Sequence, residues 1–159
     1  IILYENIWIL LKKSKDVGGD TSFYDEWQYL FKKSDLVFYL VRADLLIQND
    51  SNTQSRVEAD LSLIQSWWQI SESKNKKKFF NIQKKKKKKL LIICTFCDEV
   101  EKLQITIPRM IGNDELRKIF PLLYQHSTGI KVALGSLLTK DNNDNTRHLV
   151  ELVFKEILK

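Results

Sequence analysis

The chain of 159 residues contains no Gly-x-x-x-x-Gly-Lys-Ser/Thr run. Within this sequence, therefore, the glycine-rich loop that wraps phosphates in backbone N–H groups is missing. No apolar stretch approaches the roughly 20 residues that a membrane-spanning helix needs. The opening Ile1-Ile2-Leu3-Tyr4 has neither the basic lead nor the small-residue cleavage site of a secretory signal. An initiator methionine is absent too, so the chain reads as a fragment, a processed piece or part of something longer. Cysteine is scarce: Cys94 and Cys97 are the only two. Two thiols without a signal fit a reducing cytoplasm. Only His126 and His148 could join them on a zinc ion, and neither belongs to a second paired motif. A thioredoxin-like pair belongs near a first strand–helix unit, whereas this C-x-x-C comes late.

Acids are missing from one stretch. Residues 74–89 hold ten lysines and no Asp or Glu. Removing those ten from the chain's 26 basic residues leaves 16 against 20 acidic ones, so the net charge of +6 belongs to that segment alone. From Lys84 to Lys89 it would attract an anionic surface, a lipid or a phosphate backbone. It suits a solvated loop equally well. Hydrophobic content of 43% and charged content of 29% are ordinary for one globular domain over residues 1–159.

Apolar runs and helical periods alternate along the chain. Residues 1–11 read as strand, or as two short strands meeting near Glu5-Asn6. Phe23, Trp27, Leu30 and Phe31 then fall at helical spacing, with Thr21 or Ser22 as cap. Residues 36–41 are continuously apolar, as expected of a central parallel strand covered on both faces. They end at Arg42-Ala43-Asp44, and 50–53 is a polar loop. Residues 56–70 predict a helix with Val57, Leu61, Ile64 and Trp68 on its buried stripe, leaving Trp67 partly exposed as a partner surface. Residues 71–89 read as a Lys-rich surface insertion. Further strands are expected at 90–94 and 130–138, and a helix at 114–125 that Pro121 ends or kinks. Thr146 is expected to cap a last helix with Leu149, Val150, Val153, Phe154 and Ile157 inward. The alternation predicts an α/β fold, a mostly parallel sheet with helices on both faces.

Two motifs stand at predicted strand ends. Asp16-Val17-Gly18-Gly19 joins a carboxylate to paired glycines, whose N–H groups can approach an anion closely. It also suits an ordinary strand-to-helix turn. Thr95-Phe96-Cys97-Asp98 ends the strand at 90–94, where Asp98 could equally cap the following helix. Strand-end carboxylates on an alternating chain suggest a nucleotide site at the carboxyl edge of a parallel sheet.

With that architecture the chain resembles the P-loop GTPases of the Ras/Arf-like type. Asp16 to Gly19 looks like the D-x-x-G switch element, and Thr95 to Asp98 resembles the guanine-recognition motif N/T-K-x-D. Ala133-Leu134-Gly135-Ser136 sits where the family has its short base-contacting loop. The resemblance begins partway into the family's domain and implies a three-layer GTPase-like fold, either amino-terminally truncated or degenerate. It implies GTP/GDP and Mg2+ as ligands and a protein effector or regulator as partner. Asp16 would serve Mg2+ and Gly19 the γ-phosphate. Thr95, Phe96 and Asp98 would hold the base, and Ser136 would close over it. Asp98 would accept hydrogen bonds from the guanine ring N–H and amine, for which adenine has no match.

Two substitutions depart from the family pattern. Phe96 replaces the lysine, and an aromatic ring could stack on the base where the lysine stem lies. Asp20 stands in the water-positioning place usually held by Gln, where an ionised carboxylate cannot donate a hydrogen bond. That substitution implies impaired hydrolysis. Asp16 and Asp98 lie 82 residues apart, and the Lys-rich insertion accounts for the length.

Overall fold

The computed structural model describes residues 2–4, 7–9, 20–76, 88–101, 103, 108–126, 130–136 and 143–158. They fall in two units, Ile1–Lys33 and Ser34–Lys159. In the first unit, β1 (Ile2–Tyr4) and β2 (Ile7–Ile9) pair antiparallel with Leu3 opposite Trp8, so the opening run is two short strands. A 3-10 turn, Thr21–Phe23, leads into α1 (Tyr24–Lys33). Asp20 caps that turn, its carboxylate accepting the Ser22 N–H at 2.8 Å, and the expected helix caps Thr21 and Ser22 lie within the turn. Asp25 and Glu26 in the first turn of α1, with Lys32 and Lys33 in its last, complement the helix dipole. Phe31 is buried, but Phe23 is exposed.

The second unit runs β3 (Leu36–Arg42), α2 (Ala43–Ile47), α3 (Ser51–Lys76), β4 (Lys89–Thr95), β5 (Arg109–Ile111), α4 (Asn113–Ile119), α5 (Pro121–His126), β6 (Lys131–Leu134) and α6 (Asn143–Leu158). Its four strands lie in the order β3-β4-β6-β5. The β3–β4 and β4–β6 pairs are parallel, and β5 runs antiparallel to β6. The fold is thus α/β with a mostly parallel mixed sheet.

Strand β4 is buried at every position after Lys89, as a parallel strand covered on both faces should be. On one face Leu91 and Ile93 join Ala133 of β6 and Leu149 and Val153 of α6 in a single cluster. On the other, Ile92, Cys94, Val132 and Leu134 are also excluded from water. Each such aliphatic side chain contributes roughly 1.5–3 kcal/mol by burial.

Several expectations change. β3 is the terminal strand among the described residues, and Phe38 and Leu40 on it are 42% and 54% exposed. Its continuous apolar run is therefore not matched by cover on both faces. The polar stretch at 50–53 is the start of α3: Asn49 takes a left-handed φ of 58° after α2, and the Asp50 carboxylate caps the Thr53 N–H at 2.8 Å. Helix α3 continues to Lys76, into the segment read as a Lys-rich loop. At that segment's far end, Lys89 opens β4, and Lys88 donates to the Ser34 carbonyl.

Trp67, not Trp68, is the more deeply buried tryptophan, at 6% exposure. It sits two turns after Asp60 on α3. The buried Asp60 carboxylate accepts from Arg56 Nε at 2.9 Å and from the Tyr39 hydroxyl at 3.1 Å. Pro121 opens α5 instead of kinking one long helix, because its missing N–H costs nothing at a first helical position. Helix α6 starts at Asn143, so Thr146 lies inside it, and Val150 faces outward at 43% exposure.

Gly135 follows β6 directly beneath α6. A Cβ there would meet Leu149 Cδ1 at 2.9 Å, so a side chain at this position would have to displace the Leu149 methyls. Gly135→Ala is expected to cost about 1–3 kcal/mol by overpacking. The added cost should shrink in a Leu149→Ala background, measured by denaturant unfolding of the single and double variants. Equal costs in both backgrounds would contradict this packing.

Candidate functional site at the carboxyl rim of the sheet

The site is built where β3, β4 and β6 end together. The parallel register sets Val41 beside Cys94 and Arg42 beside Thr95 on one side, and Cys94 beside Leu134 on the other. Beyond the ladder, the Gly135 N–H donates to the Cys94 carbonyl at 3.0 Å, and the Gly135 carbonyl accepts the Cys97 N–H at 3.3 Å. Both bonds pass through one residue. They stitch the turn after β4 to the turn after β6, bringing the Thr95–Asp98 segment against Gly135–Ser136.

Within the turn each side chain has a distinct place. Thr95 is buried, and its hydroxyl donates to the Val41 carbonyl at 3.2 Å, so it braces β3 against β4. Phe96 adopts φ 56° and ψ 33°, the left-handed region that bulky residues avoid at a cost of roughly 1–2 kcal/mol. Cys97 is buried beneath the turn, with its thiol directed at the Cys94 carbonyl at 3.3 Å. Burial pushes the Cys97 thiol up to about 11 and the Cys94 thiol well above its ordinary value. Neither is a thiolate at neutral pH, which removes the chemistry of a reactive C-x-x-C pair. Asp98 stands exposed on the 3-10 turn Cys97–Glu99, available to a ligand arriving from solvent. Ser136 is buried.

Two residues that the sequence motifs do not single out complete the rim. Arg42, at the last position of β3, places its guanidinium carbon 4.4 Å from the centre of the Phe96 ring. Its Nε and terminal nitrogen hold the two oxygens of Asp44 at 3.1 and 2.5 Å. Asp44 itself is buried in the first turn of α2. The Arg42 hydrogen bonds hold the Asp44 carboxyl below its ordinary range, and the pairing raises Arg42, with Glu99 adding to the field. At the other side of the rim, Arg109 of β5 sits opposite Leu134 and forks onto Glu115. The rim is therefore flanked by two arginines, each oriented by a carboxylate. For Arg42 the sequence clue was Arg42-Ala43-Asp44 at a strand end, and the β3–β4 register gives that clue its meaning.

Asp16 and Gly19 lie outside the described residues. Asp20 belongs to the first unit, where it caps the 3-10 turn before α1. Among the described residues no cluster of three or more His, Cys, Asp or Glu could hold a metal ion. A hollow of about 320 Å3, lined in part by Ile130, Lys131 and Glu156, opens at the amino end of β6, away from this rim. No helix among the described residues is long and apolar enough to cross a membrane. No protein-family model, no curated protein and no solved structure matches the chain.

The Arg42–Asp44 pair makes a pH prediction. Its stabilisation is complete above the ordinary aspartate value of about 3.9 and is lost as pH falls through Asp44's lower native value. Asp44→Asn is expected to melt below the unmutated chain by a steady margin from about pH 8 to 5. The margin should narrow below about pH 4 in thermal melts. A margin unchanged into acid would contradict the pairing.

Proposed function

We propose that the chain is the base-binding part of a guanine-nucleotide-binding switch domain of the P-loop GTPase type, a three-layer fold with helices on both faces of the sheet. The observation that supports this most is the stitching of the Thr95–Asp98 turn to Gly135–Ser136 at the carboxyl rim of adjacent parallel strands. Ligands of open α/β sheets bind outside the carboxyl ends of the strands, and the resemblance assigns base contacts to these two turns. Asp98 is the acceptor for the guanine ring N–H and amine. In free solution it is hydrated, and a guanine that covers it restores two hydrogen bonds, whereas adenine would leave the carboxylate unpaired. Thr95, with its hydroxyl committed to Val41, shapes the turn, and Ser136 closes over the base.

In this proposal GTP or GDP is the ligand, with Asp16 toward Mg2+ and Gly19 toward the γ-phosphate. Order and disorder of the segment after Gly19 would carry the switch to a protein effector or regulator. Asp20, in the water-positioning place, favours slow hydrolysis. The competing reading, a non-catalytic GTPase-like module that presents the switch helix and Trp67 to a partner, loses its Trp67 part because Trp67 is buried.

Calorimetry of the full-length protein with GDP, GTP and ATP tests this. Guanine nucleotides are expected to bind at least a hundredfold more tightly than ATP, with the preference lost in Asp98→Ala. Equal affinity for ATP would reject the base assignment.

A further inference from the structure

We propose that Arg42, held by Asp44, is a positioning residue that presents the Phe96 ring as a stacking platform for the nucleotide base. The inference rests on the guanine-binding reading and assigns within it two residues that no motif names.

Three observations converge. The Phe96 backbone sits in the left-handed region, so the tertiary structure imposes this geometry against local preference. The Phe96 side chain, next to the exposed Asp98, is half-buried, leaving part of its surface open. The Arg42 guanidinium lies over the ring at 4.4 Å, within the range where a cation is drawn to an aromatic face. Arg42 is restrained, because its Nε and one terminal nitrogen grip the two oxygens of the buried Asp44 carboxylate. Asp44 is in turn fixed in the first turn of α2, immediately after β3.

The chain Asp44, Arg42, Phe96 therefore runs from a buried anchor to a half-buried ring. Where the family's lysine offers an aliphatic stem and a charge in one side chain, this chain divides the task. Phe96 supplies the flat surface, and Arg42 supplies the charge and fixes the plane. A base stacked on Phe96 would bring its edge toward Asp98, two residues along the same turn. Stacking is tolerant of base identity, so Arg42 and Phe96 set affinity while Asp98 sets the choice of base.

The test is a double-mutant cycle on the full-length protein, reading GDP affinity by calorimetry and fold by thermal melting. Arg42→Gln is expected to weaken GDP about three- to tenfold. In a Phe96→Leu background the same change should weaken GDP less than about twofold, because the ring it orients is gone. Phe96→Tyr keeps the ring and should keep the dependence on Arg42. Pyrophosphate, which has no base, should bind Arg42→Gln and the unmutated protein alike. The same loss from Arg42→Gln with or without the ring, or an equal loss for pyrophosphate, would overturn the inference and leave guanine binding standing. Failure of the unmutated protein to bind GDP would overturn both.

Discussion

The rim of the sheet depends on Gly135. Its N–H and carbonyl bind Cys94 and Cys97, so a single residue joins the ends of two parallel strands. Leu149 of α6 already fills the space a Cβ would take there, so a larger residue would have to displace its methyls. Helix packing on one face of the sheet thereby sets the position of a backbone link at its edge. The core cluster of Leu91, Ile93, Ala133, Leu149 and Val153 holds α6 down, and α6 holds the turn that carries Ser136. Stability and site geometry here share the same contacts.

On the other side of β4 the coupling is polar. Thr95 ties its hydroxyl to β3, and Arg42 leaves β3 to cover Phe96 while Asp44 restrains it. Further down the same strand pair, Asp60 of α3 receives Arg56 and Tyr39, anchoring the long helix to β3. In the Arg42–Asp44 and Arg56–Asp60 pairs a buried carboxylate meets a partly exposed arginine at defined geometry. The turn after β4 is therefore held from both neighbours, and the unfavourable backbone of Phe96 persists because its surroundings over-determine it.

Much of this was legible in the residues. Strand β4 and the strand-end position of Thr95–Asp98 follow from a continuous apolar run that stops at polar residues. The stripe Val57, Leu61 and Ile64 follows from helical spacing. Other features were not legible, for physical reasons. Strand β5 has three residues, too few to show a period. The burial of Trp67 over Trp68 depends on which flank of α3 packs inward, and sequence spacing is silent on that. Arg42 acquires a role only through the parallel register with Thr95, a contact between residues 53 positions apart. The Asp16–Gly19 motif lies outside the described residues, so its part in the account remains with the proposal.

The most direct measurement is a map of backbone amide chemical shifts on titration of the full-length protein with GDP. The account predicts that, among the residues of the four-stranded sheet and its turns, the largest shifts fall on Phe96, Cys97, Asp98, Gly135 and Ser136. Those of Lys131 and Glu156, at the amino end of β6, should stay still. Shifts concentrated at that opposite end, with the Thr95–Asp98 and Gly135–Ser136 turns unmoved, would contradict it.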